Sequence, residues 1–167
     1  MTRRDTILKW LAYGIALILT VILNYNVLSL LPISLPLLLP LAAVAAGVLE
    51  GPRFGAGLGM AAGALLSGAA HAGLLCIPLC ALLGWLCGLI TLHVLRRDFI
   101  GFLVCAAVSL LFWELWQVGS RLIAHTADVR TLLAVAGPEF FWTILLSPVI
   151  FLMFRFCCVH YGRIYHA

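Results

Sequence analysis

The chain has 167 residues, 65% of them hydrophobic and 10% charged, with a net charge of +4 and a mean hydropathy of +1.18. A soluble domain needs roughly 25–35% of its surface positions charged, so 10 basic and 6 acidic side chains cannot clothe one. A disordered chain would need low hydrophobicity, which leaves an all-α integral membrane protein without space for a separate soluble module.

Six crossings at about 20 residues each would take up about 120 positions and leave short connections. The first predicted span runs from Trp10 to Leu31 behind a basic start of Arg3, Arg4 and Lys9. It is too long for the apolar part of a signal peptide, and no small-residue cleavage site precedes Asn24. The second, Ile33–Leu49, holds Pro36 and Pro40 behind Pro32. Proline deep in a helix removes a backbone hydrogen bond, so this span starts near Pro36 or is broken there. Glu50-Gly51-Pro52-Arg53 reads as a tight polar turn before a third, glycine- and alanine-rich span, Phe54–Ala70. His71-Ala72-Gly73 turns the chain into the fourth span, Leu74–Leu95, which Arg96-Arg97-Asp98 ends. The fifth span is Phe99–Val118 and the sixth Phe140–Cys158.

Between the last two lies the only long connection, 119–138. There Thr126 would cap a short amphipathic helix, with Asp128 favourable in its first turn. Val129, Leu132, Leu133 and Ala136 would share a face, and Gly137-Pro138 would stop it. The sequence thus predicts a helix lying on the membrane surface.

Lysine and arginine collect on the cytoplasmic side. With six spans, one side gathers Arg3, Arg4, Lys9, Arg53, Arg96, Arg97, Arg155 and Arg163, eight in all, and the other only Arg121 and Arg130. Both termini are therefore expected in the cytoplasm, with 119–138 extracytoplasmic. Dropping one span would put basic clusters on both faces. Trp113 and Trp116 would then sit at the outer interface and Trp10 at the inner one.

Small residues recur every fourth position at Gly47, Gly51, Gly55, Gly59, Gly63 and Ser67, and again at Gly84 and Gly88. In lipid, helices associate where small residues let backbones approach. Gly55, Gly59, Gly63, Ser67, Gly84 and Gly88 are accordingly candidates for packing within the bundle or for docking a partner helix. Buried ionisable groups mark ion pathways in membranes, but no acid or histidine falls at an expected midplane. Glu50 is placed in the inner turn, Asp98 caps the fifth span, and Glu114 sits near the outer rim. Asn24 and Asn26 are expected to make interhelical hydrogen bonds. Cys76, Cys80, Cys87, Cys105, Cys157 and Cys158 form no Cys-x-x-Cys pair and read as small hydrophobes. His71, His93, His125, His160 and His166 map to turns and ends, and Cys158 with His160 falls short of a four-ligand metal site. No metal or cofactor, no catalytic constellation and no nucleic-acid partner is expected.

The order of features resembles the MreD family of bacterial rod-shape membrane proteins, over nearly the whole chain. One carrying stretch is PLLLPLAAVAAGVLEGPRFGAGLGMAAGALLSG from Pro36, with Glu50, Gly51 and Pro52 ahead of the glycine ridge. The other is Pro138-Glu139-Phe140-Phe141-Trp142-Thr143 leading to Ser147-Pro148. Where the family often has an acid four residues after the last ridge glycine, this chain has Ser67. The resemblance implies a non-enzymatic scaffold of the cell-elongation machinery in the bacterial plasma membrane. It would work with an MreC-like single-span partner, and with MreB, a RodA-type synthase and a class B penicillin-binding protein in the same complex. The family's fold is similar to the substrate-binding subunits of energy-coupling-factor vitamin transporters, which supplies an alternative function. Those subunits pair with their transporter through Ala-x-x-x-Ala in the first helix, a spacing that Ala12 and Ala16 share. Asn24, Asn26, Glu114 and Gln117 could then line a ligand site, although His71–Gly73 is short for covering one.

Overall fold

The computed structural model describes residues 3–27, 38–70, 73–95, 98–123 and 129–161, and over these it is helical with short turns and no strand. Helix α1 spans Arg3–Ile22 and continues into a π-helical turn, Leu23–Val27; α2 is Leu38–Glu50 and α3 Pro52–Ala70. After them come α4, Cys76–His93, α5, Phe99–Ile123, and α6, Val129–Tyr161. Pro32, Pro36, His71, Arg96, Arg97, His125, Thr126, Asp128, Arg163 and His166 lie outside the described residues.

Every residue of α2 is buried. A helix apolar all round has to be covered all round, and Ala42, Ala43, Ala45, Ala46 and Gly47 make this one slender enough to sit at the centre, against all five others. Its 13 residues extend about 20 Å at 1.5 Å per residue, short of the ~30 Å hydrocarbon layer. Gly51 closes it with φ +102°, donating its N–H to the Gly47 carbonyl at 2.9 Å. The left-handed conformation favours glycine at a helix end, and Pro52 opens α3 where its missing N–H costs nothing. Gly73, φ +78°, turns the chain from α3 into α4 and accepts the Cys76 N–H at 3.3 Å. The Asp98 carbonyl starts α5 by accepting from Phe102 at 3.0 Å.

Helices α5 and α6 run antiparallel and are keyed by aromatic rings. Phe102 lies 4.9 Å from Phe151, and Phe99 packs edge-on against Phe151 at 5.4 Å. At the other end the sequence reading fails. The helix runs through Gly137 and Pro138 instead of stopping there, so the expected surface helix is the first part of α6. Proline forfeits one backbone bond, but in a helical bundle neighbouring helices and hydroxyl side chains compensate. The carbonyl freed by Pro138 is that of Ala134, in the first turns of α6; the Thr143 hydroxyl, one turn further on, donates to the Glu139 carbonyl at 2.6 Å. The 33 residues of α6 rise about 50 Å, longer than a crossing requires. The fifth helix likewise extends past Val118 to Ile123, leaving little of 119–138 as loop.

Among the described residues, four helices are long and apolar enough to cross a membrane, over Ile7–Asn26, Cys76–His93, Phe99–Leu122 and Ala136–His160. Their outward faces carry large apolar side chains such as Leu11, Ile15, Ile100, Leu115 and Leu152. Such a surface belongs against lipid, because a soluble monomer does not expose continuous apolar area on this scale.

Candidate functional site

The glycine ridge is a closed internal seam. The two ridges face each other across α3 and α4, with Gly47 of α2 joining them. A Cβ on Gly55 would come 2.5 Å from the Gly47 Cα, and one on Gly63 2.6 Å from the Ile77 Cα. On Gly88 it would meet the Pro52 nitrogen at 2.5 Å; on Gly59 and Gly84 it would overlap the carbonyl oxygens of Cys80 and Gly55. These are backbone atoms, which cannot step aside as a side chain can. Of the residues open to either role, Gly55, Gly59, Gly63, Gly84 and Gly88 are therefore occupied in packing the chain on itself, and no partner helix can reach them. Ser67, half-buried, marks the edge of the seam.

At the end of the bundle where α2 stops, three helices converge on a buried carboxylate. Lys9 of α1 forms an ion pair with Glu50 Oε2, and Tyr13 donates its hydroxyl to Glu50 Oε1 at 2.8 Å. Lys9 and Glu50 are each only 6% exposed. A carboxylate at a helix C-terminus faces the negative end of the dipole, so Glu50 needs the cation that α1 delivers. Phe54 of α3 lies under the Lys9 ammonium, 5.1 Å from ring centre to Nζ, and takes Tyr13 edge-on at 4.8 Å. Cys158 of α6 rests against both Tyr13 and Glu50. From sequence, Glu50 falls in the inner polar turn and Lys9 in the basic flank; their separation of 41 residues hides the pairing. One signal was available, since Lys9 is the only lysine in the chain and borders the same predicted side as Glu50.

The opposite end holds Glu114 and Gln117 of α5 and Glu139 of α6. Glu139 interacts with both the Glu114 carboxylate and the Arg121 guanidinium, and Arg121 donates to Gln117 at 3.3 Å. Below them the interior is polar but incompletely paired: Asn24 Oδ1, Trp113 Nε1, Glu114 Oε1 and Ser147 Oγ are buried without a hydrogen-bond partner. Asn24 therefore departs from its expected interhelical bond. Trp113 departs from its expected interfacial place, being 2% exposed, because it falls on the face of α5 that carries Phe102, Ala106 and Leu110 inward. Trp116 and Trp10 are exposed, at 46% and 45%. The motif residues Pro138, Glu139, Ser147 and Pro148 all lie within α6.

Among the cysteines, Cys87 contacts the Ser109 hydroxyl at 3.1 Å while Thr91 bonds the Cys87 carbonyl at 2.7 Å. Among the described residues no three His, Cys, Asp or Glu side chains group as metal ligands. Ala16 is buried and Ala12 half-buried, its carbonyl accepting from Cys157 of α6 at 3.9 Å. Compared with protein-family models, curated proteins and solved structures, the chain matches none of them.

Proposed function

We propose that this chain is a non-enzymatic scaffold of the MreD type in the bacterial plasma membrane. In this reading it crosses six times with both termini in the cytoplasm, holding an MreC-like single-span partner at the cell-elongation complex. The observation that carries the reading is the behaviour of the stretch on which the resemblance rests. Residues 38–68 supply the central helix, the glycine seam and the buried Glu50, so the likeness falls on the architectural middle of the bundle. The six-crossing arrangement is supported by the ends of the helices. The N-terminal half of α1 at Lys9, the α2–α3 turn at Gly51 and the C-terminal part of α6 at Cys158 meet at one end, as strict alternation requires. Arg53 and Arg155 flank that end and Arg121 the other, in keeping with basic residues on the cytoplasmic side.

Because the seam is closed, the partner meets outward-facing side chains on the long helices. A photo-crosslinking residue placed in turn at Ile15, Val108 and Leu152, all exposed, tests this with an MreC-like protein co-expressed. A specific adduct from one face, together with rounded cells on depletion of the chain, is expected. Rods unchanged on depletion, or no adduct and no co-purification, would overturn the proposal.

A further inference from the structure

Cys87 and Thr91 lie one turn apart on α4, and Cys105 and Ser109 one turn apart on α5. All four are more than nine-tenths buried. They meet at a junction between two helices that otherwise touch sparsely. The Cys87 thiol lies 3.1 Å from the Ser109 hydroxyl, and the Cys105 thiol is hydrogen-bonded to Cys87 and to Thr91. Helix geometry accounts for this set of contacts. Helical side chains lean toward their own N-terminus, so in two antiparallel helices a Cys87–Ser109 contact puts the Cys87 backbone between the levels of Cys105 and Ser109. Cys105 then faces the step from Cys87 to Thr91. A disulfide needs its Cα atoms within about 7 Å, and helices in lipid come that close where small side chains face each other. All four of these side chains are small. The Cys87–Cys105 contact joins two helices, whereas Cys76 and Cys80 share α4 and Cys157 and Cys158 share α6.

We propose that Cys87 and Cys105 are a redox-active dithiol, which a lipid-soluble quinone oxidises to a disulfide that staples α4 to α5. The two S–H bonds break and one S–S bond forms. Two electrons and both protons pass to the quinone oxygens and give the quinol. Both thiols lie within candidate membrane spans, so their oxidant must dissolve in hydrocarbon, as a quinone does and a polar disulfide carrier does not. Through the seam α4 is already fixed to α2 and α3, so the bridge couples α5 to that base. In the dithiol form the junction is held by thiol and hydroxyl hydrogen bonds alone, and α4 and α5 can part. The inference stands independently of the scaffold reading, which needs no redox chemistry.

The test incubates the reduced full chain in maltoside micelles with a short-chain ubiquinone in the absence of oxygen. The chain is then denatured, its free thiols are counted by maleimide labelling, and peptide mass spectrometry maps any bridge. Expected are two fewer labelled thiols out of six, a Cys87–Cys105 bridge, one quinol formed per chain, and a raised melting temperature that dithiothreitol reverses. Cys87→Ser and Cys105→Ser should each keep every remaining thiol and show no rise, while Cys76→Ser with Cys80→Ser should respond like the parent. The mapping on the parent chain needs no variant to fold. Six labelled thiols after quinone treatment, or a bridge between other cysteines, would overturn the inference, and a Cys87–Cys105 bridge that leaves the melting temperature unchanged would overturn its role as a staple.

Discussion

Gly59→Ala should destabilise the bundle, whereas the same change at Gly119 should stabilise it. A Cβ at Gly59 would overlap the Cys80 carbonyl oxygen and sit 2.8 Å from the Ala81 Cα. Carbon atoms favour about 3.5–4.0 Å, so α3 and α4 must separate by about 1 Å to admit the methyl. A gap of that size forfeits roughly a quarter to a half of each dispersion contact it opens, and Gly55, Gly63, Gly84 and Gly88 share the seam. Overpacking of this kind costs about 1–3 kcal/mol, and the upper part of that range applies because backbone, not a rotatable side chain, is in the way. At Gly119 a Cβ has nothing within 4 Å, so alanine there gains about 0.5–1 kcal/mol from reduced chain entropy. Unfolding in mixed micelles with increasing denaturing detergent, followed by circular dichroism, reads both changes on one scale. The reasoning fails if Gly59→Ala lies within about 0.5 kcal/mol of the parent, the range of an ordinary surface change, or if Gly119→Ala is destabilised as much.

Removing one member of the Lys9–Glu50 pair, by Lys9→Met or Glu50→Leu, should cost about 3–5 kcal/mol because a lone charge stays buried. The double variant should recover most of that loss in the same unfolding measurement, and a double variant as unstable as the worse single one would mean the pair is more than an electrostatic match. Gly51→Ala should cost about 1–2 kcal/mol through its left-handed backbone alone, since nothing lies within 4 Å of the added methyl, and Gly51→Asn should lose visibly less.

What the sequence shows of this fold is what depends on local composition. The apolar runs, the Gly51-Pro52 junction and the small-residue spacing are short-range signals, and each corresponds to a helix, a turn or a close approach in the structure. The misjudged places depend on what lies opposite in space. Gly137-Pro138 has the composition that ends a helix, but α6 continues through it at the cost of one backbone hydrogen bond. Trp113 carries the interfacial signature of its residue type, yet helix phase turns it inward beside Leu110. The Glu50 site needed a lysine 41 residues away, and no window on the sequence spans that distance. The direction of the glycine seam was equally hidden, because a four-residue spacing specifies closeness without saying to what.

The two ends of the bundle differ in how completely their polar groups are paired, and that difference bears on where it can move. At the Glu50 end, α1, α2, α3 and α6 are tied by an ion pair, a phenol hydrogen bond and ring contacts of Tyr13 with Phe54 and Phe154. Separating any of these helices would expose a charge to lipid, which is costly. The seam extends this rigidity along α3 and α4, where a small displacement already disturbs the backbone packing. At the Glu114 end, by contrast, four buried polar atoms have yet to be matched, so rearranging α1, α5 and α6 there sacrifices few hydrogen bonds. Local opening favours the region where it disrupts the least packing and hydrogen bonding. The structure therefore combines a tightly joined base built on α2, α3 and α4 with an end at which polar groups of α1, α5 and α6 are less completely paired.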